Sequence, residues 1–525
     1  MNRKNILVAL SLLVLASLAA AQSPRTRPSR QTATPKATPT PAPTPQSSPT
    51  PAADPASPTI AVVNDVTISA SDIEDQVRAI IQNDPDPYLL AFYTSRDQAV
   101  KEARERALNA RVNSLMIGSE AKKRGLNVED YLQREIDARI PAPTEAEIQA
   151  TYNANRSQLG NADLESVRAQ LVNYLRGQRR EELYGALTNR LKMTNTVMKN
   201  ADVNAPNLAT GTVLTSVNGA PIRVDAINER MKAYVYKMET RIYEARKQVL
   251  NRRINDLLIV ADANRRKITP EEIVRTEITD KIKQPTEPEI AKFYEENKAR
   301  ITGDLASARA DISTYLQQQQ QESLERALAD KLRVGVKLQI MLPEPAAPVL
   351  NVSTADGASR GDVNAAVTVV EFTDFQCSAC GAMYPIIEDL LKSYGNRLHF
   401  VIRNFPLVSI HENAFRAAQG AAAAKAQGKF WEYIDLLFRN QSALDVESLK
   451  KYATQVGLDR KRFDADLESG KYDADIRRDI EDGEMYGVEA TPTIYINGVV
   501  LTEFSADGLR AAIDRAFAKA QKGSR

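Results

Sequence analysis

The apolar positions of this chain change period along its length. Towards the C-terminal end, Val367-Thr368-Val369-Val370-Glu371-Phe372 is a β-branched run of the kind that forms a buried strand. A polar turn follows, then a stretch that reads as a helix. Further on, Ala490-Thr491-Pro492-Thr493-Ile494-Tyr495-Ile496-Asn497-Gly498 reads as a strand that opens on a proline and ends in an Asn-Gly turn. In the middle of the chain the period is helical: Leu250, Ile254, Leu257, Leu258 and Ala261 form one stripe. Thr269-Pro270-Glu271-Glu272 is a helix start, with a Thr cap, Pro at the first position and Glu three residues after the cap. Pro285-Thr286-Glu287-Pro288-Glu289 begins another helix. Residues 306–333, which include the glutamine run 317–321, predict a long polar helix that needs a partner for its stripe or stands out as an arm.

This middle part repeats itself. Ala61-Val62-Val63-Asn64-Asp65-Val66-Thr67-Ile68 aligns with Thr215-Ser216-Val217-Asn218-Gly219-Ala220-Pro221-Ile222. Leu108, Val112, Leu115 and Met116 align with Leu250, Ile254, Leu257 and Leu258, at a spacing shorter by a dozen residues. Pro143-Thr144-Glu145-Ala146-Glu147-Ile148 then matches Pro285-Thr286-Glu287-Pro288-Glu289-Ile290, and Tyr152 and Asn155 match Tyr294 and Asn297. Arg168, Tyr174, Leu175 and Gln178 match Arg309, Tyr315, Leu316 and Gln319. Agreement over this length indicates a duplication, with an inserted loop near Asn83-Asp84-Pro85-Asp86-Pro87 of the first copy. Each copy reads as mostly helical.

The N-terminus reads as an export signal. Asn2-Arg3-Lys4-Asn5 is its basic region, 6–18 its apolar stretch, and Ala19-Ala20-Ala21 supplies small residues before a cut near Gln22. The apolar run is short for a membrane span, and a tether through an uncleaved signal is the less favoured reading. Residues 23–58 are dominated by Pro, Thr, Ala and Ser, a composition that builds no core and suits an extended spacer of at most about 3.1 Å per residue. The formal charge is +2, from 69 basic and 67 acidic residues, which gives no general push towards nucleic acid.

Cys377 and Cys380 are the only cysteines in 525 residues and form a C-x-x-C between the strand and the helix. At the helix start, unpaired N–H groups and the helix dipole stabilise an anion, so the Cys377 thiol should be acidic. Cys380 lies one turn on, placed to close a disulfide after Cys377 is attacked. A zinc site would need further cysteines or closely spaced histidines, and the two histidines, His399 and His411, lack that spacing. Haem attachment needs His after the second cysteine, where Gly381 stands. A two-residue loop is a poor entropic staple, which argues against a purely structural disulfide. Dithiol–disulfide exchange is the expected chemistry, with no metal and no cofactor beyond the Cys377–Cys380 pair. Export suits that chemistry, because the cytosol is reducing. His399 and His411 read as ordinary polar residues and Trp431 as core packing.

From about Val367 to Lys519 the chain resembles the DsbA-like branch of the thioredoxin superfamily. The resemblance rests on the strand-to-active-site segment 369–377, on His411-Glu412-Asn413-Ala414 through Gly428-Lys429-Phe430-Trp431-Glu432-Tyr433, and on Thr491-Pro492-Thr493. It implies Cys377 as nucleophile, Cys380 as resolving thiol, Glu371 as a buried acid assisting proton transfer, Pro492 as a cis-proline and Thr491 as a substrate contact. Strongly oxidising members carry a His between the cysteines, where this chain has Ser378-Ala379. Oxidase, isomerase and reductase therefore all stay open.

The two copies resemble the N-terminal helical domain of SurA-like periplasmic chaperones. The shared features are a Val-Asn-x-x-x-Ile start, a Leu-rich helix ending in Ala121-Lys122-Lys123-Arg124-Gly125, and Thr-Glu-x-Glu-Ile-x-x-x-Tyr-x-x-Asn. Such chaperones usually carry a parvulin domain, but both histidines of this chain lie outside the repeats. No prolyl isomerase activity is expected. The architecture expected is multidomain: mostly helical SurA-like repeats followed by an α/β thioredoxin fold with a helical insertion. Its divisions are a signal peptide over 1–21, a disordered linker over 22–58, repeats over 59–200 and 212–342, a linker over 343–364 and the thioredoxin domain over 365–521. The function expected is an exported, periplasmic or otherwise extracytoplasmic thiol–disulfide oxidoreductase acting on cysteines of folding proteins, with repeats that bind non-native clients. It would exchange electrons with a membrane or periplasmic thiol partner, bind no nucleic acid and oligomerise, if at all, through the repeats. Two rivals stand beside it: a non-enzymatic chaperone with a redox-switch C-x-x-C, and a dimeric disulfide isomerase.

Overall fold

The computed structural model of the protein describes residues 57–156, 163–298, 301 and 303–523. The expected signal peptide and all but the end of the spacer lie outside the described residues. The first copy opens on a hairpin, β1 (Thr59–Val63) and β2 (Val66–Ser69). Asn64 turns it at φ 52°, a left-handed conformation that a short amide side chain tolerates. The helices α1 (Glu74–Gln82), α2 (Pro87–Thr94), α3 (Arg96–Lys123), α4 (Val128–Glu135), α5 (Glu145–Ala154) and α6 (Leu164–Thr194) follow, then the short strand β3 (Val197–Lys199).

The second copy repeats this order with β4 (Val213–Val217), β5 (Ala220–Arg223), α7 (Val224–Arg266), α8 (Pro270–Glu277), α9 (Glu287–Asn297), α10 (Leu305–Arg333) and β6 (Leu338–Ile340). Matching starts have matching chemistry. Thr144 and Glu147 form a capping box at α5, and Thr286 and Glu289 form the same box at α9. Thr269 accepts a hydrogen bond from Glu272 N at 3.2 Å to cap α8. The copies differ where the first has its extra residues. There the first copy builds three helices, α1 to α3, in place of the single 43-residue α7. Asp84 and Asp86 of the extra loop both pair with Arg241 on α7.

The Val-Asn-x-x-x-Ile start of each copy is a hairpin, a feature that a mostly helical reading leaves out. Its pairing crosses the copy boundary. β1 carries β2 on one side and, on the other, β6 from the end of the second copy. β4 carries β5 and, on its other side, β3 from the end of the first copy. The register is equivalent in the two sheets: Ala61 faces Ile340 in one, and Thr215 faces Lys199 in the other.

The described chain divides into two bodies. One holds the residues up to Thr94 with Pro143–Leu175 and Thr240–Glu344. Among the described residues Ile290, Ala308 and Ile312 form one of its cores, and their counterparts Ile148, Val167 and Leu171 form another with Tyr152. The other holds Ser95–Ala142, Arg176–Glu239 and Pro345–Arg525. Within it Val112, Met116, Tyr131, Ile136 and Leu187 pack as one helical core.

The rest of the second body is a thioredoxin-like α/β domain. It comprises β7 (Ala358–Gly361), β8 (Val367–Thr373), α11 (Ser378–Tyr394), β9 (Leu398–Asn404), the inserted helices α12 (Ala414–Lys425), α13 (Phe430–Arg439), α14 (Val446–Gln455) and α15 (Arg460–Glu468), then α16 (Asp473–Tyr486), β10 (Thr493–Ile496), β11 (Val499–Val500) and α17 (Ala506–Gly523). The sheet runs β11-β10-β8-β9-β7, with β8 and β9 parallel and the other pairs antiparallel. β8 is buried almost throughout because both its faces are covered. Val367 and Val369 enter the core under α11 and the insertion, while Val370 and Phe372 enter a second core with Phe405, Tyr486 and Tyr495. The architecture is therefore multidomain, a duplicated helical part followed by an α/β domain with a helical insertion.

Candidate active site

The site grows out of the end of β8. After Thr373 the chain leaves the sheet through Asp374-Phe375-Gln376 and enters α11, with Cys377 as its N-cap residue. Asp374 makes this bend. Its carbonyl accepts Cys377 N at 3.1 Å, and its buried carboxylate accepts Gln376 N at 2.7 Å and Leu407 N at 2.9 Å. His411 Nδ1 donates to the same carboxylate at 2.7 Å.

Both cysteines are free thiols and unequal. Cys377 retains 8% exposure, and Cys380 has none. The Cys380 S–H lowers the Cys377 thiol to about 5, helped by Thr491 and by the N–H groups of Cys380 and Ala379, against the opposing effect of burial. Burial pushes Cys380 well above a free thiol, and the neighbouring Cys377 sulfur and Glu371 carboxyl push the same way. Glu371, 2% exposed on β8, is raised to about 7 by burial, with the Thr373 hydroxyl drawing it part of the way back.

The Thr491–Pro492 bond is cis and lies beside the sulfurs. While Cys377 is protonated, its Sγ–H donates to the Thr491 carbonyl at 3.3 Å. The buried Thr491 hydroxyl has no other hydrogen-bond partner and helps to lower the Cys377 thiol. Thus Cys377, Cys380, Glu371, Thr491 and Pro492 come together. His399 does not join them; it sits in β9, beside Thr368 of β8 and Gly361 of β7.

The residues that hold the turn are not among those the motifs pick out. His411 is tied to Asp374, three residues before Cys377, and is more than an ordinary polar residue. Asn413 N donates to Gln376 Oε1 at 2.8 Å. Gln441, between α13 and α14, donates to the carbonyls of Phe375 and Cys377. Asp374 carried a local signal, since a carboxylate just before a helix N-terminus commonly accepts backbone N–H groups. Gln441 carried none.

The sequence profile of the family described as Thioredoxin matches residues 353–515. Among curated proteins, Na(+)/H(+) antiporter NhaA 3 of Salinispora tropica is 37% identical over 163 residues, 31% of this chain and 25% of that protein. Na(+)/H(+) antiporter NhaA 1 of Salinispora arenicola is 32% identical over 226 residues, 42% of this chain and 33% of that one. The chain thus spans a quarter to a third of the length of these relatives. Among solved structures, oxidised BdbD from Bacillus subtilis aligns at 21% identity over 32% of this chain and 97% of that chain, with a TM-score of 0.30. A thioredoxin-like oxidoreductase from Silicibacter pomeroyi aligns at 25% identity over 31% and 94%, with a TM-score of 0.29. Among the described residues no helix is long and apolar enough to cross a membrane.

Proposed function

We propose that the chain is an exported thiol–disulfide oxidoreductase acting on cysteines of folding proteins. The observation that carries this reading is the inequality of the two thiols: an acidic Cys377 at the mouth of the site, and a buried, protonated Cys380 one helical turn behind it. In the reducing direction the Cys377 thiolate attacks one sulfur of a client disulfide, and the other client sulfur leaves as a thiolate. Cys380 gives up its proton to Glu371 and attacks Cys377, which frees the first client sulfur and closes the Cys377–Cys380 disulfide. Oxidation of a client dithiol is the same sequence reversed.

Direction follows from which form the site stabilises. Hydrogen bonds to the Cys377 thiolate favour the dithiol and make the disulfide a better oxidant. They supply what a histidine between the cysteines would supply, so we favour client oxidation, with a periplasmic or membrane thiol partner restoring the disulfide. The duplicated helical region, which we read from its motifs as SurA-like, would hold the non-native client. The antiporter activity named in the relatives is not carried over, because the aligned stretch is a minor part of them.

Trapping tests this reading. Cys380→Ala should accumulate mixed disulfides between Cys377 and client proteins, and Cys377→Ala should not. Equal trapping by the two variants overturns the assignment.

A further inference from the structure

Asp374 and Gln376 fix the C-x-x-C turn from one side, and Gln441 fixes its backbone from the loop between α13 and α14. Gln441 Nε2 donates to the Phe375 carbonyl at 2.9 Å and to the Cys377 carbonyl at 2.8 Å. These two carbonyls bracket the bend between strand and helix. The Cys377 carbonyl also accepts Gly381 N at 3.1 Å, the first turn of α11. One amide group therefore ties the peptide unit after Phe375 to the peptide unit after Cys377. Two carbonyl oxygens call for a group with two hydrogens on one nitrogen and no charge, which an amide provides and a carboxylate does not.

Gly381 supplies an independent observation. It lies in the first turn of α11, where alanine is the better helix former. A Cβ there would stand 2.9 Å from Gln441 Cδ and 3.1 Å from Nε2, inside the amide's own space. Gln441 could swing away, but only by giving up both hydrogen bonds. The missing side chain at 381 and the amide at 441 are two halves of one fitting.

We propose that Gln441 is a positioning residue for Cys377. It orients the turn so that the N–H groups of Ala379 and Cys380 face Sγ, and Gly381 is the gap that admits it. The proposal rests on reading Cys377 as the nucleophile.

The test uses the reduced full-length chain. The pH midpoint of Cys377 alkylation by iodoacetamide and the thermal unfolding midpoint are measured for the parent, Gln441→Met, Gly381→Ala and the double variant. Each single substitution should raise the alkylation midpoint by about one pH unit, roughly tenfold less thiolate at a pH below both midpoints. The double variant should go no further than either single one. Gly381→Ala should raise the unfolding temperature only in the Gln441→Met background, where the side chain can move aside without losing a hydrogen bond. An unmoved alkylation midpoint in Gln441→Met, or additive shifts in the double variant, overturns the proposal. A parent midpoint near the free-thiol value of about 8.5 overturns the underlying reading of Cys377 instead, and the two failures are told apart by the parent alone.

Discussion

Burial sets the acidity of Glu371 against its own charge. A carboxyl held at about 7 in the folded, reduced protein binds its proton more tightly than in the unfolded chain, where about 4.3 is ordinary. Its contribution to stability is therefore fully present below about pH 4 and is lost as the pH rises through 7. Glu371→Gln should make the reduced protein more stable at pH 8 by up to roughly 3 kcal/mol and leave it unchanged at pH 4. Urea unfolding at the two pH values checks this; an equal gain at both would mean that packing, and not ionisation, is responsible. Cys377 runs the other way. Its lowered thiol contributes stability above the free-thiol range of about 8.5, and that contribution is lost as the pH falls through 5. The two groups thus pull the reduced state in opposite directions across neutral pH.

At the level of elements, the start of α7 bears on the approach to the cis-proline. α16 ends at Gly487, at φ 84°, and a Cβ added there would lie 2.9 Å from Ala233 of α7. One turn on, Lys237 pairs with Glu489 at 2.6 Å, two residues before Thr491. Arg111 and Ser114 of α3 hold Glu481 on α16. The ion pair is exposed, so Lys237→Glu should cost less than about 1 kcal/mol and barely alter thiol exchange. Ala233→Leu is different: overpacking against Gly487 should cost about 1–3 kcal/mol and slow exchange by displacing the 487–490 segment. Unfolding and exchange rates on a small disulfide separate the two, and a larger effect from Lys237→Glu would reverse the argument. Local elements of this kind were legible in the sequence. Thr269 with Glu272, the helix start at Pro285-Thr286-Glu287-Pro288-Glu289, and the β-branched run before Cys377 each act over a few residues, and a few residues suffice to read them. The hold of His411 on Asp374, the reach of Gln441 and the contact of Ala233 with Gly487 join distant parts of the chain. Nothing in the spacing of either partner announces them.

On the scale of the whole molecule, duplication did not give two self-contained sheets. Each hairpin is finished by a strand from the other copy. A protease site introduced into the stretch 204–211, between β3 and β4, should therefore cut the chain without parting it. The halves should co-migrate on native size exclusion and separate only in denaturant; separation in buffer would show that the cross-copy pairing does not hold them. The same pairing sets where a fragment used to test client binding must end. One stopped at Leu338 loses the rest of β6, whereas one carried to Glu344 keeps it. The longer fragment should suppress aggregation of an unfolded protein, and its failure to do so would leave the helical copies as spacer.

The exchange of strands also fixes a timetable. A chain that emerges from its N-terminal end makes β1 and β2 first and β6 only after both copies are complete. Until then the hairpin shows an open edge with unpaired backbone groups. Such distant pairing closes late and slowly, because a long loop must be ordered before the contact repays it. A nascent or truncated chain that stops anywhere short of Ile340 therefore carries a sticky edge near its beginning, and the cell's folding helpers and proteases meet that edge before the thiol site has been made.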